Sequence, residues 1–431
     1  MPPIDSYYTR TQADGSAYAP LNGHDEGDCL VIGAGLAGLS AALHLARAGQ
    51  RVIVLEGECV GFGASGRNGG FVSPGYACDS DAIARRVGDA DARTLHRLSI
   101  EGAQLVRNEI AALAMPGVTP VAGKLRLRRF DAADDLRQEA DESARLYDYP
   151  LTYLDRAAIR ERLDTGRYLH GLFDPQAFHI HPLNYARGLA AEIARLGGRI
   201  HEQSAATGLA LDGARKVVTT ARGRAEAPQV ILATGGYTGS LVPRLRRAML
   251  PIATYVMQSE VAPDLLATAM RTDAAISDNR RAGDYYRLVD GGRRLLWGGR
   301  ITTRAARPDA IARQLRHEML TVYPQLAGLK TECAWSGLMA YARHQMPQIG
   351  TLRPGVWHAT AFGGHGLNTT AIGGRVVAEA VLGETDRIRL FRPFGLSWAG
   401  GPAGLAAAQL TYWTLQARDW WAERDAGAPP R

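Results

Sequence analysis

The sequence predicts an α/β fold: a Rossmann-like domain gathered from separate stretches of chain and interleaved with a second domain built on a mixed or antiparallel sheet. Three observations carry this expectation. The stretch Cys29 to Glu56 reads as strand, glycine turn, helix and strand. Short apolar strands return after Pro182, and from roughly 250 to 345 the pattern changes to alternating strands rich in aromatics. At 431 residues the chain also exceeds a single compact core, which favours two domains.

The elements follow in order. Cys29 to Ile32 is an apolar strand, the next helix sets Leu39, Leu43 and Leu45 on its apolar side, and Val52 to Leu55 closes a βαβ unit. A second glycine-rich loop, Gly61 to Gly70, leads to a mainly helical region from about 80 to 150 that contains a strand at Lys124 to Arg129. Pro182 opens a helix running through Leu196 and ending at Gly197-Gly198, the asymmetry expected of helix ends. Strands at Arg199 to Glu202, Lys216 to Thr220 and Val230 to Ala233 then return to the Rossmann-like sheet, and Val356 to Thr360 supplies one more buried strand. Ile252 to Gln258, Tyr285 to Val289 and Arg294 to Gly298 belong to the second domain. The expected division is 1–90, 182–249 and 346–388 for the first domain, 91–181 and 250–345 for the second, and 389–431 for a C-terminal loop and helix.

The glycine turn carries the first chemistry. Gly33 permits the tight turn, Gly35 lets a pyrophosphate approach the backbone, and Gly38 packs helix on strand, with phosphates at the helix N-terminus. Ala34, Leu36 and Ala37 complete that turn, and Leu55 and Glu56 end the second strand, where a carboxylate accepts hydrogen bonds from an adenosine ribose. This unit alone does not separate FAD from NAD, and an NAD-dependent dehydrogenase stays open at this point. FAD is favoured by the position of the motif near the N-terminus of a long chain whose later pieces complete the same fold. The loop Gly63, Ala64, Ser65, Gly66, Arg67, Asn68, Gly69 and Gly70 favours it too, offering many bare amides plus a hydroxyl, a guanidinium and a carboxamide. Ala233, Thr234 and Gly235 follow a strand of the same sheet. Finally, Gly363, Gly364, His365, Gly366 and Leu367 precede a helix whose positive end suits the pyrimidine ring of a reduced flavin.

Composition narrows the class. With 46% hydrophobic and 22% charged residues the chain is an ordinary globular protein. The net charge of +7 comes almost wholly from scattered arginines, since Lys124, Lys216 and Lys330 are the only lysines, and no nucleic-acid reader motif accompanies it. Nucleic acid is not an expected partner, and a flavin-dependent RNA-modifying protein stays a rival on the basic charge alone, one that RNA binding falling steeply with salt would reveal. Cys29, Cys59, Cys78 and Cys333 have neither CxxC spacing nor the density of a disulfide scaffold, and the charged N-terminus fits no signal peptide, so a reducing cytoplasm is expected. His179 and His181 alternate like ligands without an accompanying acid or thiol set, so no metal is expected. Pro393 to Ala417 lacks charge but is turn-rich at first; Leu405 to Trp421 reads as a docked apolar-faced helix, with contact to a bilayer surface as the alternative.

With these pieces placed, the chain resembles the glycine oxidase, sarcosine oxidase and D-amino-acid oxidase superfamily, and most closely its gamma-glutamylputrescine-oxidase branch. The likeness runs from Ser6-Tyr7-Tyr8 through GFGASGRNGG, His179 to Asn184, Asp284 to Leu288, Trp335 to Gly337 and Arg343 to Gly350 to GGHGL. It implies a p-hydroxybenzoate-hydroxylase-like fold with FAD along the first domain and a small-molecule amine held over the flavin by the second. It implies oxidative deamination of a primary amine such as gamma-glutamylputrescine, with dioxygen or another carrier as acceptor. The alternative within the fold is an amino-acid or secondary-amine oxidase or dehydrogenase acting on sarcosine, pipecolate or a D-amino acid. Relatives with covalent flavin carry a cysteine near Gly337 or a histidine where Arg67 stands, so FAD is expected to be noncovalent. Asn368 stands where sarcosine-oxidase-like members carry a lysine, which leaves the acceptor open. Candidates for the substrate side are Tyr255, Tyr285, Tyr286, Arg300, Trp335, Arg343 and His365: aromatic walls suit an amine and its alkyl chain, and an arginine suits a carboxylate.

Overall fold

The structure, a computed structural model, describes residues 4–280, 283–303 and 307–425, without the side chains of 300–302, 308, 309, 424 and 425. Three sheets organise it. The first runs Gln348–Arg353, Val356–Thr360, Gln229–Leu232, Cys29–Ile32, Val52–Leu55, Arg199–His201, parallel except for its Gln348–Arg353 edge. Its strands are uninterrupted apolar runs because both faces are covered. Val31, Val52, Val54 and Ile231 meet the helices Leu36–Arg47, Asp89–Leu113, Pro182–Arg195 and Gly366–Leu382. Their neighbours Leu30, Ile53, Leu55 and Leu232 turn the other way, onto a second, four-stranded sheet.

That four-stranded sheet is Gly23–Glu26, Gly223–Ala227, Lys216–Thr219 and Gly208–Ala210. The strand at Lys216 therefore does not join the Rossmann-like sheet as the sequence reading expected. The physical reason is its alternation: Val218 is fully buried and Thr219 is exposed, which suits a layer covered on one face only.

The third sheet has nine strands. Its path is Thr331–Tyr341, Leu250–Ser259, Arg294–Thr302, Tyr285–Val289, Ala275–Asp278, Val121–Arg128, His170–His179 and Phe71–Val72, with Thr152–Leu154 beside His170–His179. The Ala275–Asp278 and Val121–Arg128 strands pair in parallel and the other pairings are antiparallel, so the sheet is mixed. One face packs on the helix Pro308–Val322 around Tyr286, Trp297 and Tyr323. The ten-residue His170–His179 strand was absent from the sequence reading, because Asp174, Pro175 and Gln176 interrupt its apolar alternation.

The C-terminal helix spans Gly401–Asp425, starting earlier than Leu405 because Pro402 is tolerated in a first turn. It presents no continuous apolar face to the protein: Leu410, Trp413, Trp420 and Trp421 are exposed. A buried ion pair ties its end to the body, Glu423 to Arg280 at 2.6 Å, with Arg280 also reaching Glu318 at 3.0 Å, and Gln409 accepts from Thr303 nearer its start. Among the described residues no helix is long and apolar enough to cross a membrane.

Candidate active site

Three distant stretches of chain meet around a cavity of about 1710 Å³, beyond the roughly 300–1,000 Å³ usual for small-molecule pockets. The βαβ turn forms one wall. Gly33 has φ +107°, and a Cβ there would stand 2.7 Å from the Ala233 carbonyl. A Cβ at Gly38 would collide with the Gly33 carbonyl, so helix and strand close only around a bare backbone. The first amides of the Leu36–Arg47 helix have no intrahelical acceptor; that of Leu36 donates to Ser65 Oγ at 3.0 Å. Glu56 receives the Ala34 amide at 2.8 Å and the Glu58 amide at 3.0 Å, and burial raises its carboxyl above the usual range.

The loop from Gly61 to Gly70 is fastened from several sides. Asn68 ties it to itself, donating to the carbonyls of Ala64 and Ser65 and accepting the Gly70 amide. Tyr8 donates to the Asn68 carbonyl at 2.6 Å and in turn accepts from Arg287 at 3.1 Å. Trp335 donates its indole N–H to the Arg67 carbonyl at 3.0 Å. The Arg67 guanidinium lies 4.2 Å over the Phe62 ring, and burial lowers its pKa.

The far wall is the turn before the Gly366–Leu382 helix. Gly363, Gly364, His365, Gly366 and Leu367 line the cavity beside Tyr341. Burial, with Lys124 and Arg126 near, pulls His365 down to about 3, so its imidazole is neutral at physiological pH. Burial also pushes Tyr341 up to about 12, leaving its phenol protonated. Lys124 enters from the Val121–Arg128 strand and donates to Ser73 Oγ at 2.9 Å; burial brings it down to about 8. Asn368 is a structural tie, donating to the carbonyls of Gly75 and Ser99.

Of the residues named from sequence, Gly33, Gly35, Leu36, Ala37, Leu55, Glu56, Gly63, Ala64, Ser65, Arg67, Asn68, Gly69, Ala233, Thr234 and Gly235 line this cavity together with the far-wall turn. Ala34, Gly38, Gly66 and Gly70 do not line it: Ala34 is fully buried with its amide held by Glu56, and the three glycines support the turns from behind. Among the substrate-side candidates, Tyr285 and His365 line the cavity. Tyr286 does not: it stacks on Trp297 at 4.1 Å and hydrogen-bonds Tyr323 inside the second core. Tyr255 is buried in that same core, Trp335 lies beneath the loop, and Arg343 is exposed on a surface turn. The Arg300 side chain lies outside the described residues. His181 caps the Pro182–Arg195 helix, and His179 is held between Arg287 and the Asp273 carbonyl. Lys124, Tyr341 and Gly337 are cavity residues the sequence reading did not place on the substrate side, although the alternating Lys-Leu-Arg-Leu-Arg of residues 124–128 carried the signal.

A family model described as DAO, FAD dependent oxidoreductase, matches residues 28–380. The chain belongs to this family. The site fits its cofactor: the cavity is large enough for a dinucleotide, and its turn admits no Cβ where a pyrophosphate must approach. The N-terminal residues of two helices, Leu36–Arg47 and Gly366–Leu382, line it. Over 391 residues this DAO-family chain is 35% identical to the gamma-glutamylputrescine oxidoreductase of Escherichia coli (strain K12), covering 90% of this chain and 91% of that one. It is 34% identical over 400 residues to a probable oxidoreductase, OrdL, of Haemophilus influenzae, covering 90% of each. Among solved structures, a glycine oxidase from Geobacillus kaustophilus superposes with a TM-score of 0.72 at 19% identity, over 86% of this chain and 99% of that one, a likeness of fold. The chain is an FAD-dependent oxidoreductase.

Proposed function

We propose that this enzyme oxidises the carbon bearing a primary amine, with gamma-glutamylputrescine or a related polyamine derivative as substrate. The observation that carries the reading is the 35% identity, over nine-tenths of both chains, with a relative of that name. The chemistry FAD would supply when bound is that of a two-electron acceptor for a hydride from the carbon next to nitrogen, with the electrons passing on to dioxygen, to give hydrogen peroxide, or to another acceptor. Water then adds to the resulting imine and releases aldehyde and ammonia.

The chain's own residues do the rest. The Gly33 to Gly38 turn and the helix it opens would take the pyrophosphate, Glu56 would accept from the adenosine ribose, and the fastened loop from Gly63 to Gly70 would hold the flavin. Ala233 to Gly235 border it from the adjoining strand. The N-terminus of the Gly366–Leu382 helix would offer its positive dipole to the pyrimidine ring. His365 faces the chamber as a neutral hydrogen-bonding group, and Tyr285 and Tyr341 give it an aromatic wall. A substrate ammonium and a charged Lys124 disfavour each other in one enclosure, so the chamber favours loss of a proton from the amine, the form that gives up hydride. Gly337 and Arg67 offer no nucleophile to the flavin, in keeping with noncovalent FAD, and the four free thiols suit a cytoplasmic setting.

Anaerobic reduction tests this. Gamma-glutamylputrescine should bleach the bound flavin faster than sarcosine, pipecolate or a D-amino acid, and readmitted air should restore colour with release of peroxide. Reduction by an amino acid but not by the polyamine derivative would overturn the reading.

A further inference from the structure

The Val121–Arg128 strand sets three cations in a row. Alternation sends Leu125 and Leu127, both fully buried, into the second core, and so turns Lys124, Arg126 and Arg128 toward the cavity. Their surroundings differ. Lys124 is the deep member, close to His365 and bound to Ser73. Arg126 is already matched by Glu139 at 2.5 Å. Arg128 is the outer member, half-buried and bordering also a shallow cleft against the C-terminal helix. Its guanidinium makes no hydrogen bond or ion pair among the described residues, so a partly desolvated fork of donors faces the cavity with no acceptor of its own.

Acidic residues stand beside this row. Glu139 and Glu142 line the same part of the cavity from the helix Ala133–Tyr147. A mouth of mixed charge suits a zwitterion better than a simple anion or a bare diamine. Distance points the same way: four residues of strand separate the His365 end from Arg128, about 13 Å. A chain of ten bonds covers about 12 Å at roughly 3.5 Å per three bonds, and ten bonds separate the terminal nitrogen of gamma-glutamylputrescine from its carboxylate.

We propose that Arg128 binds a carboxylate at the far end of the substrate, so that the site selects amines carrying an acid group about ten bonds from the nitrogen that is oxidised. This rests on the amine reading above and adds a specificity determinant to it. Arg128 is a binding residue remote from the reacting carbon, and its worth shows in KM rather than in kcat.

The test compares gamma-glutamylputrescine with N-acetylputrescine, which keeps the amide and the amine but lacks the carboxylate, in the wild type, R128Q and R128K. The wild type should favour the carboxylate-bearing amine in kcat/KM, R128Q should lower that preference by about tenfold or more, and R128K should fall between, since a lysine keeps charge but loses the fork. Calorimetric titration of the FAD-loaded protein under anaerobic conditions with gamma-glutamylbutylamide, which carries the acid end and lacks the terminal amine, should show a matching loss of affinity in R128Q. An R128Q enzyme whose preference and calorimetric Kd both stay within about twofold of wild type overturns the assignment, as does a wild type that treats the two amines alike. A wild type reduced by neither amine, but by an amino acid, instead overturns the amine reading itself.

Discussion

Replacing Trp335 by phenylalanine removes one N–H and little else, and so asks whether the loop from Gly61 to Gly70 depends on the second sheet. Trp335 is 1% exposed, sits edge-on to Tyr8 at 5.7 Å, and donates to the Arg67 carbonyl at 3.0 Å. Phenylalanine keeps the aromatic contact and leaves that carbonyl without its donor, at a cost of about 1–3 kcal/mol. At about 1.4 kcal/mol per tenfold, the full cost corresponds to roughly 5- to 150-fold in an equilibrium constant. If the loop completes its order around the flavin, that cost falls on cofactor affinity. The natural comparison is Trp297→Phe, since Trp297 is equally buried and donates to Asp284 at 3.1 Å, but within the second core. The expected result is a Kd for FAD, measured by fluorescence titration of the apoprotein, at least about fivefold weaker in W335F, with W297F lowering Tm and leaving the Kd near wild type. A W335F protein that binds FAD as tightly as wild type while melting earlier would refute the dependence of the loop on this bond.

Gly38→Ala should yield colourless protein even with excess FAD, because the added methyl meets the Gly33 carbonyl and Val31 and forces the helix off its strand; absorbance of purified protein checks it. Lys124 has its folded pKa brought from 10.5 down to about 8, so the unfolded chain binds more protons between those values and stability rises with pH across that window. Lys124→Met should flatten that rise by about 3 kcal/mol, read as the change in Tm of the apoprotein between pH 8 and 10.5 against wild type. Glu423→Gln weakens the ion pair to Arg280 and should speed trypsin cleavage at Arg418 with little change in FAD content, since Arg280 retains Glu318; equal cleavage rates in the two proteins would contradict the pinning of the helix by this pair.

The parts of the fold that were legible in sequence are those fixed by local rules. Cys29 to Glu56 announces itself because strands buried on both faces are continuously apolar, and glycines stand where only a bare backbone fits. Which sheet a strand joins is a long-range matter, and that is where Lys216–Thr219 was assigned to the wrong layer. The cofactor side of the cavity was readable for the same local reason, since Gly363 to Leu367 and the loop around Ser65 follow glycine spacing. The substrate side was not. Tyr285 and Tyr286 are adjacent, yet one faces the cavity and the other the second core; sequence supplies the alternation but not its parity, and a shift of one residue exchanges the two. Trp335 was named for contact with substrate because aromatics suit such walls, whereas its polar edge is spent on a backbone carbonyl beneath the loop.

The fastening of that loop also constrains how the molecule can come together. Its anchors are Tyr8 from the start of the chain, Arg287 from the middle of the large sheet and Trp335 from that sheet's edge strand, so the segment cannot settle until all three have been synthesised and folded. A ribosome-bound chain that has emerged only as far as residue 250 carries the whole glycine fingerprint and still lacks two of the three anchors. Completion of the flavin-side loop therefore waits on the strand that carries Trp335, and a fragment ending near residue 250 holds the glycine fingerprint with only one of its loop's three anchors.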